Sequence, residues 1–311
     1  MDYKSKKIVY LGTPEISSIL LEEMIKEGYN IPLVVTQKDN KVGRKQILSE
    51  SKVSQVAKKY NIDVFKPEKL NREYEMIEKL KPDLLLTFAY GQILSSKVLS
   101  LGTYKPINFH ASLLPKYRGA SPIVSVLLNG EKKTGMTIME MEKKMDSGKV
   151  YAQESIDIED DDNYTSLEKK LSSLSISMMK KYLPLYLENK LEGVIQNEDE
   201  ASFCSLIKKE DEHLSLNSTA NEFVNKVKAF SSYPGAYLFN RDEYLKIYKC
   251  SILSDQIIEK TGTLFIKDKK LCLQLKDGII SLEMLQRQGK KILPASDFIN
   301  GIKDISSIDL R

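Results

Sequence analysis

The sequence has few of the residues that commonly bind metals. It contains two histidines and three cysteines, and Cys204, Cys250 and Cys272 lie far apart in the chain. Because no cysteine or histidine pair has the spacing of a zinc site, we expect no bound metal. An odd number of scattered cysteines is typical of free thiols in a reducing compartment, so we expect a cytoplasmic protein.

Long apolar runs are also missing from the sequence. No stretch of about 18 uncharged apolar residues occurs, so we expect no membrane-spanning helix and no membrane partner. The basic residues at 1–7 precede a short strand-like run rather than the apolar core of a signal peptide. The formal net charge of +4 is too small to attract nucleic acid by itself, so an RNA partner would be held by local basic patches.

A chain of 311 residues is long enough for two domains. Over residues 1–190, apolar runs of strand length alternate with segments of helical periodicity, such as a helix predicted over Asn71–Leu80 with Asn71 as its candidate cap. This alternation predicts an α/β fold with a doubly wound, mostly parallel, Rossmann-like sheet, on which ligands bind at the carboxyl ends of the strands. The predicted strands are Ile8–Leu11, Ile31–Thr36, Ile62–Phe65, Pro82–Tyr90, Ile107–His110 and Gly135–Met141.

The pattern changes in the last third of the chain. Residues 191–206 are mostly polar and are typical of a linker. Residues 207–311 contain one helix and then short strands separated by tight turns, which predicts a second domain built as a small β-barrel. The predicted strands of this domain are Tyr237–Phe239, Tyr244–Tyr248, Gly262–Ile266, Leu271–Leu275 and Gly278–Leu285.

Asn108, His110 and Asp146 are the candidate catalytic residues. Asn108 and His110 are two positions apart in a predicted strand, so their side chains point to the same side. An amide that holds an oxyanion, an imidazole that shares a proton and a carboxylate that orients the imidazole suit acyl-group chemistry. Taken singly, the residues are also consistent with a turn amide, a buried core histidine and an Asp-Ser-Gly turn.

The motifs around these residues resemble the folate-dependent formyltransferases and, more narrowly, the methionyl-tRNA formyltransferase family. This resemblance implies transfer of a formyl group from 10-formyltetrahydrofolate to the amino group of methionyl-initiator tRNA, with Asn108, His110 and Asp146 as the catalytic residues. It also implies that the C-terminal barrel is OB-like and binds tRNA. The matching segments occur in the same order along nearly the whole chain: Leu11–Glu15, Val35–Gln37, Phe88–Leu94, Asn108–Gly119, Thr134–Met139, Met145–Gly148 and Tyr233–Ala236.

The same resemblance implies the binding residues for the two substrates. Gly91 either lets the backbone approach the folate or serves only as a turn glycine. The basic loop Lys38–Lys45, which by itself is typical of a solvated loop, would reach the tRNA acceptor stem; it is shorter than is usual in the family. We expect a monomer without metal. The implied tRNA-binding residues are Lys38, Lys41, Arg44 and Lys45, and the implied folate-binding residues are Phe88, Ala89, Tyr90, Gly91, Gln92, Ile93, Leu94, Ser112, Leu113, Leu114 and Pro115.

Four other functions are alternatives to this interpretation. A formyltransferase acting on glycinamide ribonucleotide or an amino sugar would not need the basic loop and the barrel. A formyl-folate hydrolase would use the same residues with water as the acceptor. An RNA-binding module with a vestigial α/β domain would not need the intact catalytic set. A nicotinamide site is disfavoured, because Gly12–Glu15 lacks the G-x-G-x-x-G pattern and Gln37 and Lys38 replace the acidic residue after the second strand.

Overall fold

The computed structural model describes residues 3–42, 47–302, 305 and 308–310. The chain divides into two compact units. The first contains Met1–Pro122, Lys133–Asp157 and Glu168–Ser205, and the second contains Ile123–Lys132, Ile158–Leu167 and Leu206–Arg311. The helices are α1 (Glu15–Lys26), α2 (Lys52–Lys59), α3 (Glu75–Leu80), α4 (Ser96–Leu99), α5 (Pro122–Leu128), α6 (Tyr164–Leu187), α7 (Ala220–Ala229) and α8 (Ala295–Asn300).

Strands make up the remaining regular structure of both units, apart from short 3-10 helices. The strands are β1 (Ile8–Gly12), β2 (Leu33–Val35), β3 (Asn40–Val42), β4 (Ile47–Ser49), β5 (Asp63–Phe65), β6 (Leu84–Phe88), β7 (Ile107–His110), β8 (Arg118–Gly119), β9 (Lys133–Glu140), β10 (Val150–Asp157), β11 (Phe203–Cys204), β12 (Ala236–Asn240), β13 (Glu243–Ser254), β14 (Leu264–Lys267), β15 (Lys270–Leu275), β16 (Gly278–Arg287) and β17 (Leu293–Pro294).

The first unit contains a seven-stranded sheet in the order β10-β9-β7-β6-β1-β2-β5. The pairs from β7 to β5 are parallel, whereas β9 pairs antiparallel with β7 and β10 antiparallel with β9. All residues of β1 and β6 are buried, as expected for central strands that are apolar on both faces. The predicted doubly wound, mostly parallel α/β sheet is therefore confirmed.

Two local features of this unit differ from the sequence prediction. Asn71 does not cap a helix, because a short 3-10 helix spans Leu70–Arg72 and α3 begins only at Glu75. The Asn71 side chain instead bonds the backbone of Ile93 and Ser95. Strand β10 was not predicted, since an edge strand with polar residues at alternate positions carries little apolar signal.

The second unit contains a six-stranded antiparallel sheet in the order β12-β13-β16-β15-β14, with β17 also paired to β16. Helix α7 packs against β13 and begins with a capping box, in which Thr219 and Glu222 exchange side-chain and backbone hydrogen bonds. Phe223 and Val227 of α7 are buried, as its helical periodicity predicts. A separate antiparallel sheet in the C-terminal part of the chain is thus confirmed, whereas the predicted domain bounds 1–190 and 207–311 stay predictions.

The longest helix is α6, with 24 residues and an internal proline, Pro184. Neither α6 nor any other helix in the described ranges is both long and apolar enough to cross a membrane.

Candidate active site

Strand β7 carries Asn108 and His110 on one side of the sheet. In the pairing with β9, Asn108 lies opposite Met139 and His110 lies opposite Thr137. Both polar side chains are enclosed, since only 9% of Asn108 and 5% of His110 is exposed. A buried amide and a buried imidazole therefore lie together at the carboxyl end of β7, where ligands of doubly wound sheets bind.

The Asn108 amide makes no hydrogen bond to any other residue that the structure describes. Buried polar side chains are normally paired with protein groups or water, so an enclosed amide without a partner is a candidate for contact with a ligand. The side chain offers two N–H donors and one carbonyl acceptor. It can therefore donate to an oxygen of a bound substrate without breaking an existing hydrogen bond.

The His110 ring is held by the segment that follows β7. Its Nε2 lies 2.8 Å from the backbone carbonyl oxygen of Tyr117. A carbonyl oxygen only accepts hydrogen bonds, so the proton in this bond belongs to Nε2. Nδ1 is then the nitrogen that gains or loses a proton, and it lies 3.7 Å from Oδ2 of Asp146. The pair is close enough for electrostatic attraction and leaves Nδ1 without a short hydrogen bond.

Asp146 reaches the imidazole from a turn beyond β9. Its φ is +48°, in the left-handed region that costs a non-glycine residue about 1–2 kcal/mol. Its Oδ2 also accepts a hydrogen bond of 2.8 Å from the backbone N–H of Gly119. The structure thus brings His110 and Asp146 together, and their catalytic roles remain predictions.

Arg118 is a buried cation to which the sequence assigned no role. Its side chain is fully enclosed, and its Nε and Nη2 donate to Oε1 of Gln196 at 3.1 and 2.9 Å. Nη1 and Nη2 also donate to the Glu198 carboxylate at 3.2 and 2.8 Å. Hydrogen bonds from Arg118 and then from Lys144 lower the pKa of Glu198 to about 2. The guanidinium therefore has a carboxylate partner, and its hydrogen bonds to Gln196 and Glu198 fix its orientation.

The segment 194–204, part of the predicted linker, is bonded to the first unit. The Gln196 Nε2 donates to the backbone carbonyls of Asp146 and Gly148 at 2.9 and 2.7 Å. Ser202 accepts from the N–H groups of Tyr117 and Arg118, each at 2.9 Å, and β11 pairs in parallel with β8. Sequence reasoning missed these contacts, because a glutamine in a polar stretch has no distinguishing spacing.

The residues predicted to bind folate include the loop that follows β6. Phe88 ends the strand, and residues 89–94 continue from its carboxyl end with Gly91 at φ +90°. The Tyr90 carbonyl accepts from the side chains of Thr13 and Gln37, both at 3.0 Å. The Tyr90 ring is buried in the core, and this burial raises the pKa of its phenol above the ordinary value. The loop is therefore held to the ends of β1 and β2.

The predicted folate residues Ser112–Pro115 form the turn after β7. The turn is organised by one hydroxyl, Thr137 Oγ1, which donates to the Ser112 carbonyl at 2.6 Å. The same oxygen accepts from the Leu114 N–H at 3.3 Å and from Gln153 Nε2 at 2.9 Å. The turn is therefore held from β9 and β10, so its position follows that of the strands.

A groove of about 570 Å³ lies beside the loop after β6. Lys69 and Arg72 are exposed, and neither side chain has an acidic partner within the part of the chain that the structure describes. The one carboxylate of the lining, Glu68, pairs with Lys38, so the two unpaired cations suit a ligand with carboxylate or phosphate groups. The groove is lined by Gln37, Glu68, Lys69, Asn71, Arg72, Gly91, Gln92 and Ile93.

Two of the predicted tRNA-binding residues, Lys38 and Lys41, lie within the described part of the chain. Lys38 precedes β3, is exposed, and pairs with Glu68 at 3.2 Å. Lys41 lies within β3. Arg44 and Lys45 lie outside the described residues.

A buried amide, an imidazole and a carboxylate lie close together in this unit, as expected for a group-transfer site, and the class of protein is given by comparison with known proteins. Residues 6–183 match the formyl transferase family, and residues 206–303 match the formyl transferase C-terminal domain. The chain belongs to the formyl transferase family. Residues 184–205, which include Gln196, lie between the two matches.

Among relatives, the chain is similar over nearly its full length to methionyl-tRNA formyltransferases. The protein of that name from Lactobacillus gasseri is 41% identical over 298 residues, which cover 94% of this chain and 95% of the relative. The one from Mesoplasma florum is 38% identical over 302 residues, or 96% of each chain. The N-formyltransferase of Helicobacter canadensis, solved with folinic acid and dTDP-3-aminofucose, shares the fold: the TM-score is 0.68 at 21% identity, covering 91% of this chain and 99% of that one.

Proposed function

We propose that this chain transfers the formyl group of 10-formyltetrahydrofolate to the free amino group of methionyl-initiator tRNA, giving formylmethionyl-tRNA for translation initiation. The observation that carries this proposal is the enclosed Asn108 amide, which has no partner in the described chain and lies beside the His110–Asp146 pair. The full-length similarity to methionyl-tRNA formyltransferases supports the choice of acceptor.

Asn108 stabilises the charge that develops during transfer. Attack of the neutral amine on the formyl carbon moves an electron pair onto the formyl oxygen and gives a tetrahedral oxyanion. The free N–H groups of Asn108 donate to that oxygen, and their enclosure excludes competing water. One such donor typically contributes about 2.7–4 kcal/mol to the transition state.

His110 and Asp146 act as one unit. Since Nε2 donates to the Tyr117 carbonyl, Nδ1 is the ring nitrogen left for proton exchange, and it carries a proton only in the imidazolium form. The Asp146 carboxylate, 3.7 Å away, stabilises the imidazolium and accepts the proton that the attacking amine must lose, directly or through water. Collapse of the intermediate returns the electron pair to the carbonyl and breaks the bond to N10 of the folate, which takes up the proton that the amine gave to Asp146, directly or through water. No covalent enzyme intermediate is required.

The folate co-substrate is assigned to the loop after β6 and the turn 112–115. The adjoining groove extends this site, because three of the residues predicted to bind folate, Gly91, Gln92 and Ile93, also line it. Folate ends in glutamate carboxylates, and the unpaired Lys69 and Arg72 supply the opposite charge. The residues present therefore fit the donor, with its anionic end in the groove.

The acceptor tRNA is assigned to the basic loop and the second unit. Lys38, Lys41, Arg44 and Lys45 place four positive charges within eight residues, which is a local patch of the kind that holds RNA phosphates. The loop follows β2, and Gln37, the residue directly before it, donates to the Tyr90 carbonyl of the predicted folate loop. A contact between this loop and the acceptor stem would help to place the amino group at the formyl carbon.

The test is an acceptor comparison with the whole chain and 10-formyltetrahydrofolate. Charged initiator tRNA, glycinamide ribonucleotide, a 4-amino sugar nucleotide and water alone are compared at equal donor concentration. We expect rapid product only with methionyl-tRNA. Faster transfer to the ribonucleotide or the sugar would replace the proposed acceptor, and equal tetrahydrofolate release in water alone would identify a hydrolase.

A further inference from the structure

Gln196 joins the two backbone segments that hold the candidate catalytic residues. We infer that Gln196 is a positioning residue for formyl transfer, because its amide group holds the Asp146 turn in place beside His110. This inference rests on the function proposed above and adds a residue to its machinery. Gln196 itself is 7% exposed and touches neither the imidazole nor the carboxylate by a hydrogen bond.

The orientation of the Gln196 amide is determined by its neighbours. A guanidinium has only donors, so the side-chain atom that faces Arg118 Nε and Nη2 must be the oxygen. The nitrogen then faces the carbonyl oxygens of Asp146 and Gly148, which only accept. All four contacts are satisfied by one orientation and none by the flipped one. Buried Arg118 therefore directs both N–H donors of Gln196 into the Asp146 turn.

The Asp146 turn needs such a restraint. Asp146 has a φ of +48°, so its backbone would relax to a right-handed or extended conformation without external contacts. Its carboxylate is 3.7 Å from His110 Nδ1, and relaxation of the turn would lengthen or redirect this contact. The two bonds from Gln196 span both sides of the turn, at its first and third residues. They hold the backbone conformation that presents the carboxylate.

Gln196 is also linked to the segment 117–119, which holds His110. Arg118 lies between Tyr117, whose carbonyl accepts from His110, and Gly119, whose N–H donates to Asp146. Through Arg118, the Gln196 side chain connects this segment to the Asp146 turn. The relative placement of imidazole and carboxylate thus depends on one side chain from a segment that resembles a linker.

Gln196→Glu separates the two roles of the amide. The glutamate keeps an oxygen for Arg118 but replaces both N–H donors with an acceptor that faces two carbonyl oxygens. We expect kcat for formylation to fall by about tenfold to a hundredfold, since small displacements of catalytic groups have effects of this size. KM for both substrates should stay near its original value. The matched control is Glu200→Gln on the 3-10 helix Glu198–Glu200 that follows Gln196; Glu200 is exposed and bonded to Asn197, and its substitution should leave kcat unchanged.

A double-variant comparison distinguishes positioning from general loss of structure. If Gln196 acts through Asp146, then Gln196→Glu in an Asp146→Asn background should lower kcat little further, whereas a general structural effect would multiply the two losses. If the melting temperature of Gln196→Glu is well below that of the unmodified chain, the same comparison is made with Gln196→Met, which has a side chain of similar length without donors. A folded variant at this position with unchanged kcat, or losses that multiply in the double variant, would overturn the inference.

Failure of the proposed function would be seen separately, in the unmodified chain. If that chain makes no formylmethionyl-tRNA, the assigned acceptor is wrong, and the variants are compared by tetrahydrofolate release with whichever acceptor supports it. The inference about Gln196 depends only on the ratio of each variant to the unmodified chain in the same assay.

Discussion

The backbone N–H of Gly119 donates a hydrogen bond of 2.8 Å to the carboxylate of Asp146. Gly119 has a φ of +122°, and a Cβ atom at this position would lie 2.1 Å from the carbonyl oxygen of Cys204. Any side chain must therefore displace either strand β11 or the N–H itself. The position of the candidate proton acceptor depends on a site where only glycine fits.

Gly119→Ala should lower both kcat and the melting temperature. The variant combines a disfavoured backbone conformation with a steric overlap that moves the donor to Asp146. Gly28→Ala is the matched control, because Gly28 also has a positive φ, +80°, but no atom lies within 4 Å of its Cβ position. The control should lose about 1 kcal/mol of stability and no activity. Equal kcat in both variants would remove the Gly119 bond from the catalytic geometry.

Asn108→Ala should lower kcat by about 10² to 10³, as expected for loss of an oxyanion donor. Stability should change little, because the amide has no hydrogen-bond partner in the described chain that the substitution would leave unsatisfied. Single-turnover kinetics and thermal unfolding measure the two effects. Asn225→Ala on α7, which also removes a partly buried amide, serves as the control. A folded Asn108→Ala variant with a normal single-turnover rate would exclude Asn108 from catalysis.

Arg72→Glu should raise KM for the folate donor and leave KM for methionyl-tRNA unchanged. Charge reversal in the groove should cost about 1 kcal/mol, or roughly fivefold, because exposed pairs interact weakly. The effect should be larger for a donor with several glutamates than for one with a single glutamate. Lys79→Glu on α3 changes an exposed lysine outside the groove lining and is the control. The same response to both donors would mean that the glutamates do not lie in the groove.

Arg44→Ala should raise KM for methionyl-tRNA without changing KM for the donor. This prediction rests on the sequence alone, since Arg44 lies outside the described residues. If Arg44 contacts one phosphate, the slope of log affinity against log salt should fall by about one. Filter binding over a salt series measures the slope, with Lys79→Ala as the control. An unchanged slope would place the tRNA contact elsewhere.

The Glu198 carboxylate should stabilise the fold in a pH-dependent manner. Its pKa is lowered in the folded state to about 2, so its contribution is complete above its ordinary pKa, near ~4.3, and is lost as the pH falls towards 2. The difference in melting temperature between the unmodified chain and Glu198→Gln should therefore be largest above pH ~5 and shrink below it. Salt should reduce the difference, because Glu198 is exposed. A constant difference from pH 6 to pH 3 would contradict this assignment.

The sequence was most informative where packing dictates residue type. The apolar runs of β1 and β6 predict central parallel strands, and the spacing of Asn108 and His110 predicts a shared side of β7, both as found. Asp146 was also expected near His110, and the structure shows the pair at 3.7 Å, but β9 runs antiparallel to β7, so strand direction does not account for this approach. For the parallel strands a local pattern predicts the long-range arrangement, because parallel strands end at one edge of the sheet.

Features that depend on side chains from distant segments were not predictable. Arg118 and Gln196 are separated by 78 positions in sequence, and nothing in either neighbourhood indicates the hydrogen bonds between them. Asn71 has the residue type of a helix cap, but its side chain bonds the backbone of Ile93 and Ser95 instead of a helix end. Strand β10 was not predicted because its composition is polar. It forms because its backbone pairs with that of β9.

The parallel pairing of β8 with β11 also limits where this chain can be recombined with a relative. A crossover near residue 190, at the end of the predicted α/β domain, would join one parent's residues 118–119 to the other parent's residues 203–204. Gly119 tolerates no side chain because the Cys204 carbonyl lies against it, so even small differences in the path of the incoming strand would reach Asp146. A functional chimaera should therefore take residues up to Ser205 from the parent that supplies the sheet.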